Sequence, residues 1–177
     1  MSLISRNAII DSILNTYRQD LGNDYDQYRN HVFRVYNFAV SNVNTIQEAE
    51  ALAIAAALHD LGIWTNNTFD YLAHSIDLAK RYSTANGLPP EKSLEIETII
   101  GEHHKLGRVK SSTLAEIFRQ ADLVDLSLGL IRCGRKREEI KSIRKKFPNE
   151  GFHVSLLRLF LKNLIRNPLN PLPMYKL

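Results

Sequence analysis

The sequence predicts an all-α protein, and three observations carry that prediction. Nearly every long segment spaces its apolar residues three and four apart, and no stretch alternates as a half-buried strand does. Glycines, prolines and short polar turns punctuate the helical runs. A first helix is expected from about Ser5 to Asp20, with Ile9, Ile10, Ile13, Leu14 and Tyr17 on its stripe, before LGNDYDQ breaks it. A second runs from about Asn30 to Ser41 with the stripe His31, Val35, Phe38. A third runs from about Gln47 to His59 with Leu52, Ala55, Ala56 and His59 on one face, and Gly62 stands where a left-handed stop is wanted. After the polar turn TNNTFD, a fourth helix covers about Asp70 to Asn86 and ends at Gly87. LPPE opens the fifth, because proline suits a first helical turn, and Ile96, Ile99, Ile100 and His103 share its stripe. A sixth helix covers about Ser112 to Leu128. A basic helix follows from about Arg135 to Lys146, stopped by Pro148, and an eighth spans about His153 to Ile165. The tail NPLNPLPMYKL has three prolines and is expected to be extended.

Composition narrows the setting. At 177 residues, 44% hydrophobic and 24% charged, the chain suits one globular domain over residues 1–177, without repeats or an interdomain linker. A net charge of +4 favours anionic partners without choosing among them. The lone Cys133 excludes an internal disulfide and a cysteine metal cage, and fits a reducing cytoplasm. The N-terminus MSLISRNAII lacks the apolar core of a signal peptide. The longest apolar run, Ala51 to Leu58, is far short of the roughly 20 residues that cross a bilayer. A cytoplasmic location without a membrane partner is expected.

Histidines and aspartates interrupt the apolar stripes. His31 opens one, His59 and Asp60 close another, and His103 and His104 close a third. His74 lies near the start of the fourth helix, while Asp122 and Asp125, three apart, point in similar directions on the sixth. A buried charge must be paired or bound to metal, and imidazole and carboxylate are ligands of borderline and hard divalent ions. Taken singly, each has an ordinary reading: His31 as a core histidine, His59 with Asp60 and His103 with His104 as helix ends, and the two aspartates as solvated groups. Their ordered, widely separated placement on apolar helices distinguishes the set.

RNHVFRV, ALHDLGIW, GEHHKLG and QADLVDLS together resemble the HD-domain superfamily of metal-dependent phosphohydrolases, over about residues 28–128. The C-terminal helices and proline-rich tail, 132–177, lie outside the resemblance. It implies an all-α bundle, a single HD-type helical domain, with the metal site between the helices. It implies a first metal held by His31, His59, Asp60 and Asp122, with His59 and Asp60 as catalytic residues. The extra histidines His74, His103 and His104 occupy the region where some members bind a second metal, Asp60 then bridging the two ions. His103 is the better-placed ligand, because it continues the stripe of Ile96 and Ile99. One or two divalent ions are therefore expected (Mn, Fe, Mg, Ni, Co or Zn). The alternative is that His74 and His104 contact substrate or support a single ion, and Asp125 is expected to support a ligand rather than bind metal.

The expected activity is hydrolysis of a phosphomonoester or phosphodiester bond in a small molecule or nucleotide by metal-activated hydroxide. Arg34, Lys105 and Arg108 are candidate phosphate contacts, each also readable as a solvated cation. The superfamily's alarmone hydrolases carry a Glu-Asp pair where this chain has Ile63 and Trp64, and a nucleotidase branch uses a glutamate at the same point. The glycine-rich run of its cyclic dinucleotide phosphodiesterases is replaced by KLGRVKSS. With those acids absent, water activation is expected to rest on the metal alone or on a group the sequence does not identify. Two other readings use the same residues: a di-iron oxygenase, with Tyr25 or Tyr28 as a gate, and a non-catalytic metal or nucleotide sensor. RCGRKREEIKSIRKKF has eight Lys or Arg residues around Glu138 and Glu139. It lacks a nucleic-acid motif and interleaved aromatics, so a solvated face is expected rather than a nucleic-acid partner.

Overall fold

The computed structural model describes residues 3–175. These residues form eight helices of nine or more residues, two single α-helical turns and one 3-10 turn (Gly22–Asp24), without a strand. The long helices are α1 (Ala8–Thr16), α3 (Tyr25–Val40), α4 (Ile46–Leu58), α6 (Leu72–Ala85), α7 (Pro90–Glu102), α8 (Thr113–Leu126), α9 (Arg137–Lys146) and α10 (Phe152–Arg166); α2 (Arg18–Leu21) and α5 (Gly62–Thr65) are the single turns. Local chemistry sets several starts. The Asn7 side chain accepts from the Ile9 and Ile10 amides at the head of α1. Thr45 and Glu48 form a reciprocal capping box on α4, Pro90 opens α7, and the Ser112 hydroxyl accepts from the Ala115 amide at α8. Gly87, at φ +60°, takes up the left-handed conformation expected after α6.

The centre of the bundle is α4. Every residue from Ala51 to Leu58 is buried, so this helix is apolar all round rather than on one stripe. Its alanines let α1, α3 and α7 pack against it; α8 lies along α3 and α7, and α6 covers α7. The C-terminal ends of α4 and α7 thereby meet the middles of α3 and α8.

Four expectations on local structure are corrected. The first helix is not continuous: Tyr17, at φ −102° and ψ 20°, divides it into α1 and α2. The second helix starts earlier, at Tyr25, because Tyr25 and Tyr28 are buried with the rest of its stripe. Gly62 is not a left-handed stop; the chain runs through Leu61 in helical conformation into α5. Glycine is required there for closeness, since a Cβ would sit 2.6 Å from the Tyr71 carbonyl and 2.9 Å from Ser75 Oγ. Gly62→Ala is accordingly expected to cost about 1–3 kcal/mol, as overpacking against backbone does. A urea-unfolding midpoint equal to that of the parent protein contradicts this. Finally, the described part of the tail, to Tyr175, is not extended, and the expectation for Lys176 and Leu177 lies outside the described residues. Asn170 N donates to Asn167 O and Tyr175 N to Leu172 O, and the turns are held by the Asn163 side-chain amide donating to Pro171 O at 2.9 Å. Met174 is buried by this arrangement.

Among the described residues no helix is long and apolar enough to cross a membrane. The basic residues of α9 line a separate groove of about 570 Å³ with Leu128 and Ile140, while Ile140 and Ile143 anchor the helix in the core.

Candidate metal centre

His31 projects from the middle of α3, His59 and Asp60 follow the last turn of α4, His103 follows α7, and Asp122 sits on α8. All five are buried. Three of the imidazoles have Nδ1 beside an acceptor. His31 Nδ1 lies 2.8 Å from an Asp125 carboxylate oxygen, His59 Nδ1 2.9 Å from the Ala56 carbonyl, and His103 Nδ1 2.6 Å from the Ile100 carbonyl. These oxygens accept, so each Nδ1 carries a proton and each Nε2 is the ring atom left to face the cluster. The His31 and His59 Nε2 atoms stand 3.0 Å apart. Two lone pairs at that distance repel unless a cation, a proton or a metal ion, stands beside both.

Carboxylates complete the cluster. Asp60 Oδ2 is 3.7 Å from His31 Nε2 and 3.5 Å from His59 Nε2; Asp122 Oδ1 is 3.8 Å and 3.7 Å from the same atoms. Donors about 2.0–2.2 Å from a shared divalent ion lie about 3–3.6 Å from one another when adjacent in its shell, close to the spacings observed. On the other side of Asp60, its Oδ1 is 3.5 Å from His103 Nε2. Both atoms are buried and without a hydrogen-bond partner among the described residues. Ligand atoms of His31, His59 and Asp60 form one tight group, and those of Asp60, His103 and His104 form a second. The residues therefore fit one metal ion and offer donors for another, with Asp60 shared.

The cluster's charges complement one another, and a metal ion entering it takes the place of imidazole protons. Burial opposes a charge on His59, but the Asp60 and Asp122 carboxylates prevail and raise its pKa to about 9. Burial would raise the carboxyl of Asp60, yet the His59, His103 and His31 imidazoles bring it well below its ordinary range. Asp122 is lowered against burial by the same three imidazoles, His59 first. His104 is pushed down to about 3, by burial and then by His103, and so stays neutral and able to coordinate.

Supporting residues surround these groups. Asp125 accepts from Arg34 Nε at 2.6 Å and Nη2 at 2.9 Å as well as from His31, so a fully buried ion pair holds the His31 ring. Phe152 of α10 stacks on that ring, with centroids 4.1 Å apart. The Tyr71 hydroxyl lies 2.5 Å from His104 Nε2, and the Tyr175 ring packs on His104 with centroids 5.0 Å apart.

Several sequence candidates lie elsewhere. His74 is exposed on α6, whose inward face is Leu72, Ser75, Leu78 and Ala79; helical phase turns position 74 outward, and the buried side chain beside His104 is Tyr71. Arg34 does not reach a site mouth: it is 0% exposed and committed to Asp125 and the Phe147 and Pro148 carbonyls. Arg108 is exposed and lines none of the cavities around the imidazoles. Lys105 pairs with Glu102 at 2.7 Å but lines a small cavity of about 100 Å³ shared with His104 and Asp122. Tyr28 donates to the Ala57 carbonyl and packs on Trp64, and Tyr25 donates to Asn15; neither is placed as a gate. Sequence reasoning misses Tyr71, Phe152 and Tyr175, and only the inward phase of Tyr71 with Ser75 signals any of them.

A family model described as the HD domain matches residues 28–127, more than half of the chain. Comparison with curated proteins yields no match.

Proposed function

Because this chain belongs to the HD-domain superfamily of metal-dependent hydrolases, we propose that it is a phosphohydrolase cleaving a phosphate ester of a small molecule. The observation that carries the reading is the meeting of the His31 and His59 Nε2 atoms with Asp60 and Asp122 oxygens in one buried cluster. His31, His59, Asp60 and Asp122 would hold one divalent ion, and Asp60, His103 and His104 would be the donors for a second. An ion bound there would lower the pKa of its water towards neutrality and offer a Lewis-acid contact to phosphoryl oxygens.

The chain's own groups orient and exclude. Asp125, Ala56 and Ile100 hold the proton on each Nδ1, which keeps every Nε2 available as a donor. Tyr71 fixes the His104 ring, and its hydroxyl, raised well above the ordinary tyrosine range by burial and then by Asp60, stays protonated. Phe152 keeps bulk water from the His31 ring. Lys105 is assigned to phosphate contact from the smaller cavity.

Metal binding provides the test. At an ion concentration about 100 times its Kd, binding to the folded state adds about 2.7 kcal/mol. For a chain of this length that raises Tm by roughly 5–11 °C. The shift is expected with at least one of Mn, Fe(II), Co, Ni, Zn or Mg and is reversed by EDTA. Phosphate release from a panel of phosphate esters is expected with the same ion. The absence of a Tm shift with all six ions contradicts a metal site, and a shift without phosphate release contradicts the phosphohydrolase reading.

A further inference from the structure

The cavity that opens directly onto His31, Asp60, Asp122 and His104 has a volume of about 190 Å³, and no lysine or arginine lines it. Beyond those four residues its wall is apolar and aromatic. Phe69 and Tyr71 come from the segment before α6, Phe152, Leu156 and Phe160 from α10, and Leu172, Met174 and Tyr175 from the folded tail. The only other polar atoms on these side chains are two tyrosine hydroxyls, and that of Tyr71 is engaged by His104. Three separate segments thus build an oily chamber with one polar end.

Such a chamber discriminates. A nucleotide or sugar phosphate would bring hydroxyls, ring nitrogens or further phosphates against walls that offer them no partner, and each buried group left unpaired costs about tenfold or more in binding. An extra phosphate charge would meet no cation there. An alkyl or aryl group loses nothing and gains by leaving water. The volume also sets a size, since a dry apolar cavity of about 150 Å³ accepts a benzene ring.

We infer that the substrate is a phosphomonoester of a small apolar alcohol or phenol, its phosphate at the imidazole–carboxylate end and its hydrocarbon body in the chamber of Leu156, Phe160 and Met174. This rests on the phosphohydrolase reading above. The reaction forms a P–O bond from water and breaks the ester P–O bond; a water proton ends on the leaving oxygen, releasing phosphate and the apolar alcohol. Leu156, Phe160 and Met174 are specificity-determining residues.

The test is a homologous series on the metal-loaded protein, from methyl to hexyl phosphate, with phenyl phosphate, ribose 5-phosphate and AMP beside it. Each added methylene is expected to raise kcat/KM about three- to fourfold until the chain outgrows the cavity. Hexyl and phenyl phosphate are expected to exceed ribose 5-phosphate and AMP by about 100-fold or more. Binding of the non-hydrolysable methyl- to hexylphosphonates, followed by calorimetry, is expected to tighten with the same increment. Phe160→Asn and Leu156→Asn, at half-buried positions, are expected to flatten both series. Ribose 5-phosphate or AMP turned over as well as hexyl phosphate overturns the inference and leaves the phosphohydrolase reading intact. So does phosphonate binding that is indifferent to chain length. No turnover of any ester, with phosphonate binding that still tightens with chain length, overturns the phosphohydrolase reading and leaves the apolar site standing.

Discussion

Replacing Asp125 with alanine is expected to destabilise the protein by about 3–5 kcal/mol, the cost of breaking a buried ion pair from one side. The variant strands the Arg34 guanidinium, which has no exposure and otherwise donates only to the Phe147 and Pro148 carbonyls. It also removes the acceptor of His31 Nδ1 and a contact of Arg144 at 3.5 Å. Against a total stability of about 5–15 kcal/mol this is a large fraction, and Tm is expected to fall by roughly 6–20 °C. Arg34→Met alone leaves the carboxylate buried with His31 as its main remaining partner and is expected to be similarly costly. Arg34→Met with Asp125→Leu removes both charges and is expected to recover at least about 1 kcal/mol relative to the sum of the singles. Metal affinity in Asp125→Ala is expected to fall about 10–100-fold, because the His31 ring loses the partner that sets its tautomer. An Asp125→Ala protein that unfolds within about 1 kcal/mol of the parent in denaturant would refute the ion pair's structural role.

The largest catalytic effect is expected from Asp60→Ala. Asp60 alone belongs to both groups of ligand atoms, so its loss affects both metal positions at once. Turnover is expected to drop by about 10³-fold or more, equivalent to about 4 kcal/mol of transition-state stabilisation. Bound metal per chain, measured by elemental analysis after gel filtration, is expected to fall with it. The fold is expected to survive, since Asp60 Oδ1 makes no hydrogen bond within the described chain and its neighbours are held by α4 and α5. Far-ultraviolet circular dichroism checks that point. His74→Ala is the contrast: on the outer face of α6 it should change neither metal content nor turnover. Equal losses in Asp60→Ala and His74→Ala would displace the centre from where the imidazoles converge.

The two variants also separate the parts of the site that are legible in the sequence from those that are not. Asp60 stands beside His59 at the end of an apolar run, where an unpaired carboxylate is too costly to bury. His103 continues the stripe of Ile96 and Ile99, and helical period carries that reasoning faithfully. His74 misleads because residue type outweighs phase; the buried positions Leu72, Ser75 and Ala79 already turn it outward. Arg34 misleads for a different reason. Its spacing from His31 places it near Asp125, but whether a cation meets substrate or a buried carboxylate depends on a helix ninety residues away. The tail reads as extended because three prolines forbid a helix, and nothing local reveals that its turns wall the cavity.

The sequence by itself determined the all-helical class, the ordered histidines and aspartates, and the family they mark, because apolar period and ligand chemistry are properties of neighbours along the chain. Only the tertiary structure decided which Nε2 atoms face one another, that Arg34 is spent on Asp125, that Tyr71 rather than His74 stands beside His104, and that the chamber above the cluster is apolar. Those outcomes depend on the angles at which α3, α4, α7, α8 and α10 cross. Such angles come from packing over the whole bundle, not from any one segment.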